Sequence, residues 1–187
     1  MSVLSRFPPG EMFIETGLGH GQSLVAAVDS RVYRSLASIE IDPALVARMR
    51  EVMLPASVQI YEGSSLDWLP KLCDPQLATV FWLDAHFSAG LYSSDAAYDR
   101  AQLDIRVGEC PLLAELAIIR AVDWQTPPVI LIDDAVCFEA AVYTGHHAAY
   151  TRTAYPTRED IEAALPPLYR CTRCDDGTGE FFVCEAR

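Results

Sequence analysis

Apolar and polar positions in this chain fall into blocks rather than strict alternation. Val80-Phe81-Trp82-Leu83 and Val129-Ile130-Leu131-Ile132 are continuous apolar runs, as strands covered on both faces should be. Met12-Phe13-Ile14 is a third, shorter run. The pattern predicts strands over 12–16, 35–41, 58–62, 78–84, 129–133, 168–174 and 180–185. Helices are predicted over 21–29, 43–52, 66–73, 111–122 and 158–165. Strand-like and helix-like segments alternate, which favours an α/β fold. The last two strands flank Asp175-Asp176-Gly177-Thr178-Gly179, a loop of the kind that closes a hairpin.

Boundary residues support several of these elements. Asp42 precedes Pro43, an N-cap followed by a proline at the first helical position. Thr157 and Asp160 resemble a capping box, with aspartate in place of the usual glutamate. Two segments, 86–109 and 135–155, carry no clear period. Loops of that length are uncommon in a compact domain unless they serve a purpose. Both follow strands, so both would sit at the sheet's carboxyl edge, where open α/β sheets bind ligands. The stretch from Phe87 to Glu109, with Ser88, Ala89, Gly90, Tyr92 and Tyr98, reads either as a lid or as a surface insertion.

The densest chemical signal is Glu15-Thr16-Gly17-Leu18-Gly19-His20-Gly21, which joins the first strand to the first helix. Glycines there permit a tight turn and let a ligand approach bare backbone. The helix behind them offers unpaired N–H groups, and Ser23 in its first turn could bind a carboxylate. The spacing is not that of a dinucleotide fingerprint. Ser38-Ile39-Glu40-Ile41-Asp42 ends the second strand in two acids. With Asp42 assigned to the cap, Glu40 is the candidate for accepting hydrogen bonds from ribose hydroxyls. Together the two motifs predict a bound nucleoside-containing cofactor. After the third strand, a hydroxyl of Gly63-Ser64-Ser65 either meets an adenine edge or caps the next helix, the second role falling to Ser65.

Two further strands end in acids, at Asp84-Ala85-His86 and Asp133-Asp134. If those strands are neighbours, three aspartates and a histidine converge. Close carboxylates need a cation to stay ionised together, and hard oxygen donors suit magnesium, calcium or manganese. The competing reading of Asp133-Asp134 is local capping of loop backbone. His86 reads as general base, additional ligand or structural group. His146-His147 has no acidic partner nearby in sequence.

Bulk properties narrow the class. The 187 residues fit one domain, 1–187, with a substantial core. The net charge of −12, without a Lys/Arg cluster, disfavours nucleic acid and anionic membrane surfaces. No apolar run has the length of a membrane span, and the first nine residues lack a signal-peptide core, so a cytoplasmic location is expected. Cys171-x-x-Cys174 has no second pair at zinc-finger spacing, and the six cysteines are expected to be reduced thiols.

In order and spacing, these motifs resemble the class I S-adenosylmethionine-dependent methyltransferases, over residues 11 to 187. Glu15-x-Gly17-x-Gly19-x-Gly21 looks like their glycine-rich loop, and Ser38 to Pro43 like the acidic end of their second strand. Tyr61 to Ser65 is similar to the segment bordering the adenine. Phe81 to His86 and Ile130 to Asp134 look like motifs of the metal-dependent O-methyltransferases, of catechol and macrolide-sugar type. The resemblance implies a Rossmann-like, doubly wound, mostly parallel seven-stranded sheet with a C-terminal antiparallel hairpin. It implies S-adenosylmethionine held by Glu15, Thr16, Gly17, Gly19, Gly21, Ser23, Glu40, Ile41, Ser64 and Asp84. It further implies a divalent cation, magnesium above all, on Asp84, Asp133 and Asp134, with Asp84 and His86 catalytic.

Two departures stand out. A lysine expected shortly after the fourth-strand aspartate is replaced near Phe87, and only about eleven residues precede the first strand. The expected activity is methyl transfer to a hydroxyl oxygen of a small molecule or glycan, with homodimerisation plausible. The alternative is a non-catalytic cofactor-binding module serving as a sensor or assembly partner.

Overall fold

The computed structural model describes residues 7–86, 110–139, 155–177 and 179–187. Phe87 to Glu109 and the loop residues Tyr143, His146, His147 and Tyr150 lie outside them. The strands are β1 (Met12–Thr16), β2 (Ser35–Glu40), β3 (Val58–Glu62), β4 (Thr79–Leu83), β5 (Val129–Ile132), β6 (Tyr169–Asp175) and β7 (Glu180–Ala186). The helices are α1 (Gln22–Ser30), α2 (Pro43–Arg50), α3 (Ser65–Leu72), α4 (Leu112–Arg120), α5 (Val136–Glu139) and α6 (Arg158–Ala164). The one-turn helix α5 lies in a segment the sequence left irregular.

The strands form one seven-stranded sheet in the order β3-β2-β1-β4-β5-β7-β6. β1 through β5 are parallel, and β7 runs antiparallel to both β5 and β6. This is the α/β alternation and terminal hairpin that the pattern predicts, in the doubly wound, mostly parallel arrangement that the resemblance implies. The chain leaves β1 toward β2 and β3, then returns to build β4 and β5 on β1's other side. That reversal makes the crevice between β1 and β4 the topological switch point.

Alternate strand residues feed two cores. Ile14, Ile39, Phe81, Leu83, Ile130 and Ile132 pack with Leu69 of α3, Leu116 and Ile119 of α4 and Ile161 of α6. Phe13, Leu36, Val80, Trp82 and Leu131 pack on the opposite face with Leu24 and Ala27 of α1 and with Met49 of α2. Trp82 and Phe81 are wholly buried on opposite faces, which is why β4 reads as a continuous apolar run. At about 25 cal/mol per Å² of apolar surface, each buried large side chain contributes roughly 2–3 kcal/mol.

Local signals set the helix starts. The Asp42 carboxylate accepts the Ala44 N–H at 2.7 Å, with Pro43 in the first turn. Thr157 and Asp160 cap each other's backbone groups, so aspartate completes the box. Before α3 the cap is Ser64, whose hydroxyl accepts the Leu66 N–H at 3.2 Å; Ser65 is already the first helical residue. The cysteines also depart from expectation. Cys171 and Cys184 stand opposite each other in the β6–β7 register and form a disulfide, while Cys73, Cys110, Cys137 and Cys174 remain thiols. Antiparallel pairing brings the two Cα atoms to 4.2 Å, a proximity that the spacing in sequence does not reveal.

Candidate functional site

Four strand ends line up along the carboxyl edge, each extended by one hydrogen bond past the strand. Gly63 N–H donates to Glu40 O at 2.8 Å, and Gly17 N–H to Ile39 O at 2.9 Å. Asp84 N–H donates to Thr16 O at 2.9 Å, and Asp133 N–H to Leu83 O at 3.1 Å. These bonds fix the loops after β3, β1, β4 and β5 relative to one another before any side chain is considered.

The glycine loop is backbone pressed on backbone. Gly17, Gly19 and Gly21 have φ of 80°, 51° and 78°, the left-handed region that glycine enters without cost. A Cβ on Gly17 would stand 2.3 Å from the Asp84 carbonyl oxygen. The loop therefore closes directly onto the Asp84–Ala85 peptide at the switch point. Gly21 is the N-cap of α1 and carries no side-chain cap, so the helix start presents bare N–H groups.

Strand alternation sends the first two residues of this motif away from the crevice. Glu15 is fully buried beneath α1, where its carboxyl accepts hydrogen bonds from the Ser23 and Ser38 hydroxyls. Burial raises its pKa from 4.5 to about 8 against the opposing effect of those two hydroxyls. Ser23 is thus engaged by Glu15. Thr16 is buried as well, on the opposite face. Glu40 occupies the end of β2 as expected and ties the loop to that strand. Its Oε2 accepts the Gly19 N–H and its Oε1 the Asp42 N–H, both at 2.9 Å. The Ile41 N–H also donates to this carboxylate, and of its four acceptor positions three are then used by backbone, leaving one for a ribose hydroxyl. Burial raises its pKa, opposed by these N–H donors. Ile41 follows, half-buried. At the end of β3, Ser64 is committed to capping α3, while Tyr61 and Trp68 pair their rings at 4.7 Å.

The acidic ends of β4 and β5 are adjacent, as the sequence reading required. His86 lies between them. Its Nδ1 is 3.1 Å from Asp84 Oδ1, and its Nε2 is 3.0 Å from Asp134 Oδ2. Burial alone would lower its pKa, but the hydrogen bonds to Asp134 and Asp84 outweigh burial and hold it well above the ordinary value. Asp133 turns its Oδ1 back to the Asp134 N–H at 2.9 Å, which supports Asp134 in a left-handed conformation, φ 50°. The three aspartates therefore do not form a hard-cation cage, because an imidazole spans two of them and the third binds backbone. The donors that converge are those of His86, Asp134 and Cys137, all within 4.8 Å of one another.

Beside His86 is a small recess of about 10 Å³, room for about one water, bordered by Asp84, Cys110, Glu115 and Phe138. Glu115 is 1% exposed, and among the described residues its Oε1 has no hydrogen-bond partner. Burial raises its pKa to about 7, opposed by the neighbouring Ser65 and Thr16 hydroxyls. Tyr155 stands edge-on to the His86 ring at 5.8 Å. The sequence reading missed Glu115, Cys137 and Tyr155 as site residues. Glu115 did carry a signal, since it shares the i, i+3, i+4, i+7 register of Leu112, Leu116 and Ile119 on the buried face of α4.

No protein-family model and no curated protein matches the sequence. Solved structures do match in fold. The O-methyltransferase TomG from Streptomyces achromogenes, involved in tomaymycin synthesis and solved with SAM, superposes with a TM-score of 0.60 at 15% identity, over 98% of this chain and 76% of that one. Spermidine synthase from Thermotoga maritima gives 0.57 at 12% identity, over 99% and 56%. An O-methyltransferase family protein from Burkholderia thailandensis gives 0.55 at 14%, over 100% and 53%. The chain thus spans between about half and three quarters of the length of these structures, and its fold is that of the class I methyltransferases. Among the described residues, no helix is long and apolar enough to cross a membrane.

Proposed function

We propose that this chain transfers the methyl group of S-adenosylmethionine to a hydroxyl oxygen of a small molecule or glycan. The observation that carries the reading is the glycine elbow seated on the Asp84–Ala85 peptide, with Glu40 tied to the same loop through Gly19. The side-chain-free turn at Gly17, Gly19 and Gly21 and the Glu40 carboxylate held beside it together suit an adenosyl group with a charged tail. Names of structural neighbours add support, one an O-methyltransferase solved with SAM. Spermidine synthase has the same fold, so the fold alone does not select the acceptor.

When bound, S-adenosylmethionine supplies an electrophilic methyl on a sulfonium. The chain's own work is alignment and proton handling. In the transfer, an oxygen–carbon bond forms as the carbon–sulfur bond breaks, the bonding pair passes to sulfur, and the hydroxyl proton must leave. His86 is poorly suited to take it, because both its nitrogens face carboxylates. Glu115 is the better acceptor: it lines the recess, its Oε1 meets no hydrogen-bond donor among the described residues, and burial pushes its pKa up to about 7. No step is assigned to magnesium on Asp84, Asp133 and Asp134, since their arrangement does not fit one. Phe138 borders the recess, and Tyr155 lies against both the Phe138 ring and that of His86, an aromatic wall on the acceptor side of His86.

Calorimetric titration with S-adenosylmethionine, on wild type and on Glu40→Ala, tests the reading. Wild type should bind, and Glu40→Ala should bind roughly tenfold or more weakly, as loss of charge-assisted hydrogen bonds implies. Absence of binding by wild type at ligand on the order of millimolar would remove the proposal.

A further inference from the structure

The convergence of His86, Asp134 and Cys137 concerns a different kind of cation from the one the aspartates suggested. Imidazole nitrogen, carboxylate oxygen and thiolate sulfur together are a borderline donor set, which favours zinc-class ions over magnesium. We propose that the chain holds one zinc-class divalent cation through His86 Nε2, an Asp134 carboxylate oxygen and Cys137 Sγ, with Asp84 positioning the imidazole through Nδ1.

Four features of the geometry support this. First, the two carboxylates flank one ring, and a proton between Nε2 and Asp134 is what a cation would replace. Two nitrogen or oxygen ligands about 2.1 Å from a tetrahedral ion lie about 3.4 Å apart, and the observed separation is 3.0 Å. These two donors need to part by only a few tenths of an ångström, and Cys137 Sγ, within 4.8 Å of both, closes the set by turning its side chain toward them. Second, Asp84 at 3.1 Å from Nδ1 supplies the outer-shell carboxylate that metal-bound histidines usually have, fixing the tautomer that leaves Nε2 for the ion. Third, the backbone is built to present the other two donors together. The Cys137 N–H donates to the Asp134 carbonyl at 2.8 Å, and the bond from Asp134 N–H to Asp133 holds Asp134 at φ 50°.

The fourth feature is independent of the donor set. Glu115, 1% exposed and with no hydrogen-bond partner for its Oε1 among the described residues, borders the recess that His86 also lines. Three protein ligands leave a zinc-class ion with an open position for water or a substrate oxygen. A buried acceptor nearby suits the proton that such an oxygen gives up. In this last respect the inference rests on the methyl-transfer reading; the binding of the ion does not.

The test is metal binding by the full chain without S-adenosylmethionine. After dialysis against zinc, elemental analysis should give one equivalent per chain, retained in a large excess of magnesium. Cobalt substitution should produce a thiolate-to-cobalt charge-transfer band, absent in Cys137→Ser and unchanged in Cys174→Ser. Asp84→Asn should keep the band at saturation while weakening affinity about 10–100-fold, the mark of a positioning residue. Tryptophan fluorescence establishes that each variant is folded. Substoichiometric zinc, displacement by magnesium, or a band that survives in folded Cys137→Ser would overturn the proposal. Because cofactor titration is run separately, failure of either reading leaves the other measurable.

Discussion

Glu15→Gln offers a quantitative test of how the glycine loop is supported. The carboxyl sits fully buried beneath α1 with two serine hydroxyls donating to it, and burial lifts its pKa from 4.5 to about 8. The folded state therefore holds a proton that the unfolded chain has released over that interval. Stability from this group is fully present below the unfolded value and is lost as pH rises through the folded one. The loss has a slope of about 1.4 kcal/mol per pH unit, and the whole displacement corresponds to at most about 5 kcal/mol. That is a large share of the roughly 5–15 kcal/mol that holds a domain together.

Glutamine keeps an oxygen for one serine and removes the titration. Urea unfolding followed by fluorescence of the wholly buried Trp82 would measure both proteins. Glu40 and Glu115 are also raised by burial, so wild type alone would slope for several reasons; the difference between the two proteins isolates Glu15. Near pH 5 wild type should match or exceed Glu15→Gln. The variant should then gain on wild type by about 1 kcal/mol per pH unit, levelling off above about pH 8. Parallel curves across that range would refute a neutral, buried Glu15.

Three further outcomes follow from the same geometry. Gly17→Ala places a Cβ 2.3 Å from the Asp84 carbonyl oxygen at a φ of +80°, so it should destabilise by about 3 kcal/mol or more and abolish cofactor binding; a melting temperature equal to wild type would contradict the backbone-on-backbone contact. Asp42→Ala removes the α2 cap and should lower stability by about 1 kcal/mol in thermal unfolding, with smaller loss of cofactor affinity than Glu40→Ala. Thiol titration of the denatured chain should count the four thiols before reduction and all six after it; six at the outset would exclude the Cys171–Cys184 bridge.

What could be read from the sequence was set by what is local. Continuous apolar runs marked β4 and β5 because both their faces are covered, and Asp42-Pro43 marked the start of α2 because a cap acts on its own first turn. Ser64 and Ser65 show where locality ends. The two hydroxyls are adjacent, and only the backbone at Ser64, φ −68° and ψ 141°, decides that it is the cap. Glu115 is a harder case. Its place on the buried face of α4 was implicit in its register with Leu112, Leu116 and Ile119, but its neighbours Thr16, Ser65 and His86 come from three other elements. Likewise Cys137 becomes a metal donor only once β4 and β5 are adjacent and α5 folds back on Asp134.

The motif Glu15-Thr16-Gly17 carries the same lesson at the scale of one strand. Read linearly, three neighbours form one cofactor loop. In a sheet, successive side chains point to opposite faces, so Glu15 turns with Phe13 toward α1 and Ser38, and Thr16 turns with Ile14 toward α4 and Glu115. Only from Gly17 onward does the chain reach the crevice, and it does so as backbone. The acid of the motif is thus a support placed behind the loop, and Glu40, on the neighbouring strand, is the acid in front of it. Glu15→Gln should consequently alter the pH dependence of stability more than cofactor affinity, whereas Glu40→Ala should do the reverse. Measuring both quantities on both variants separates a supporting acid from a contacting one, and equal effects on affinity would show that the division between the two faces of β1 is not the one that governs binding.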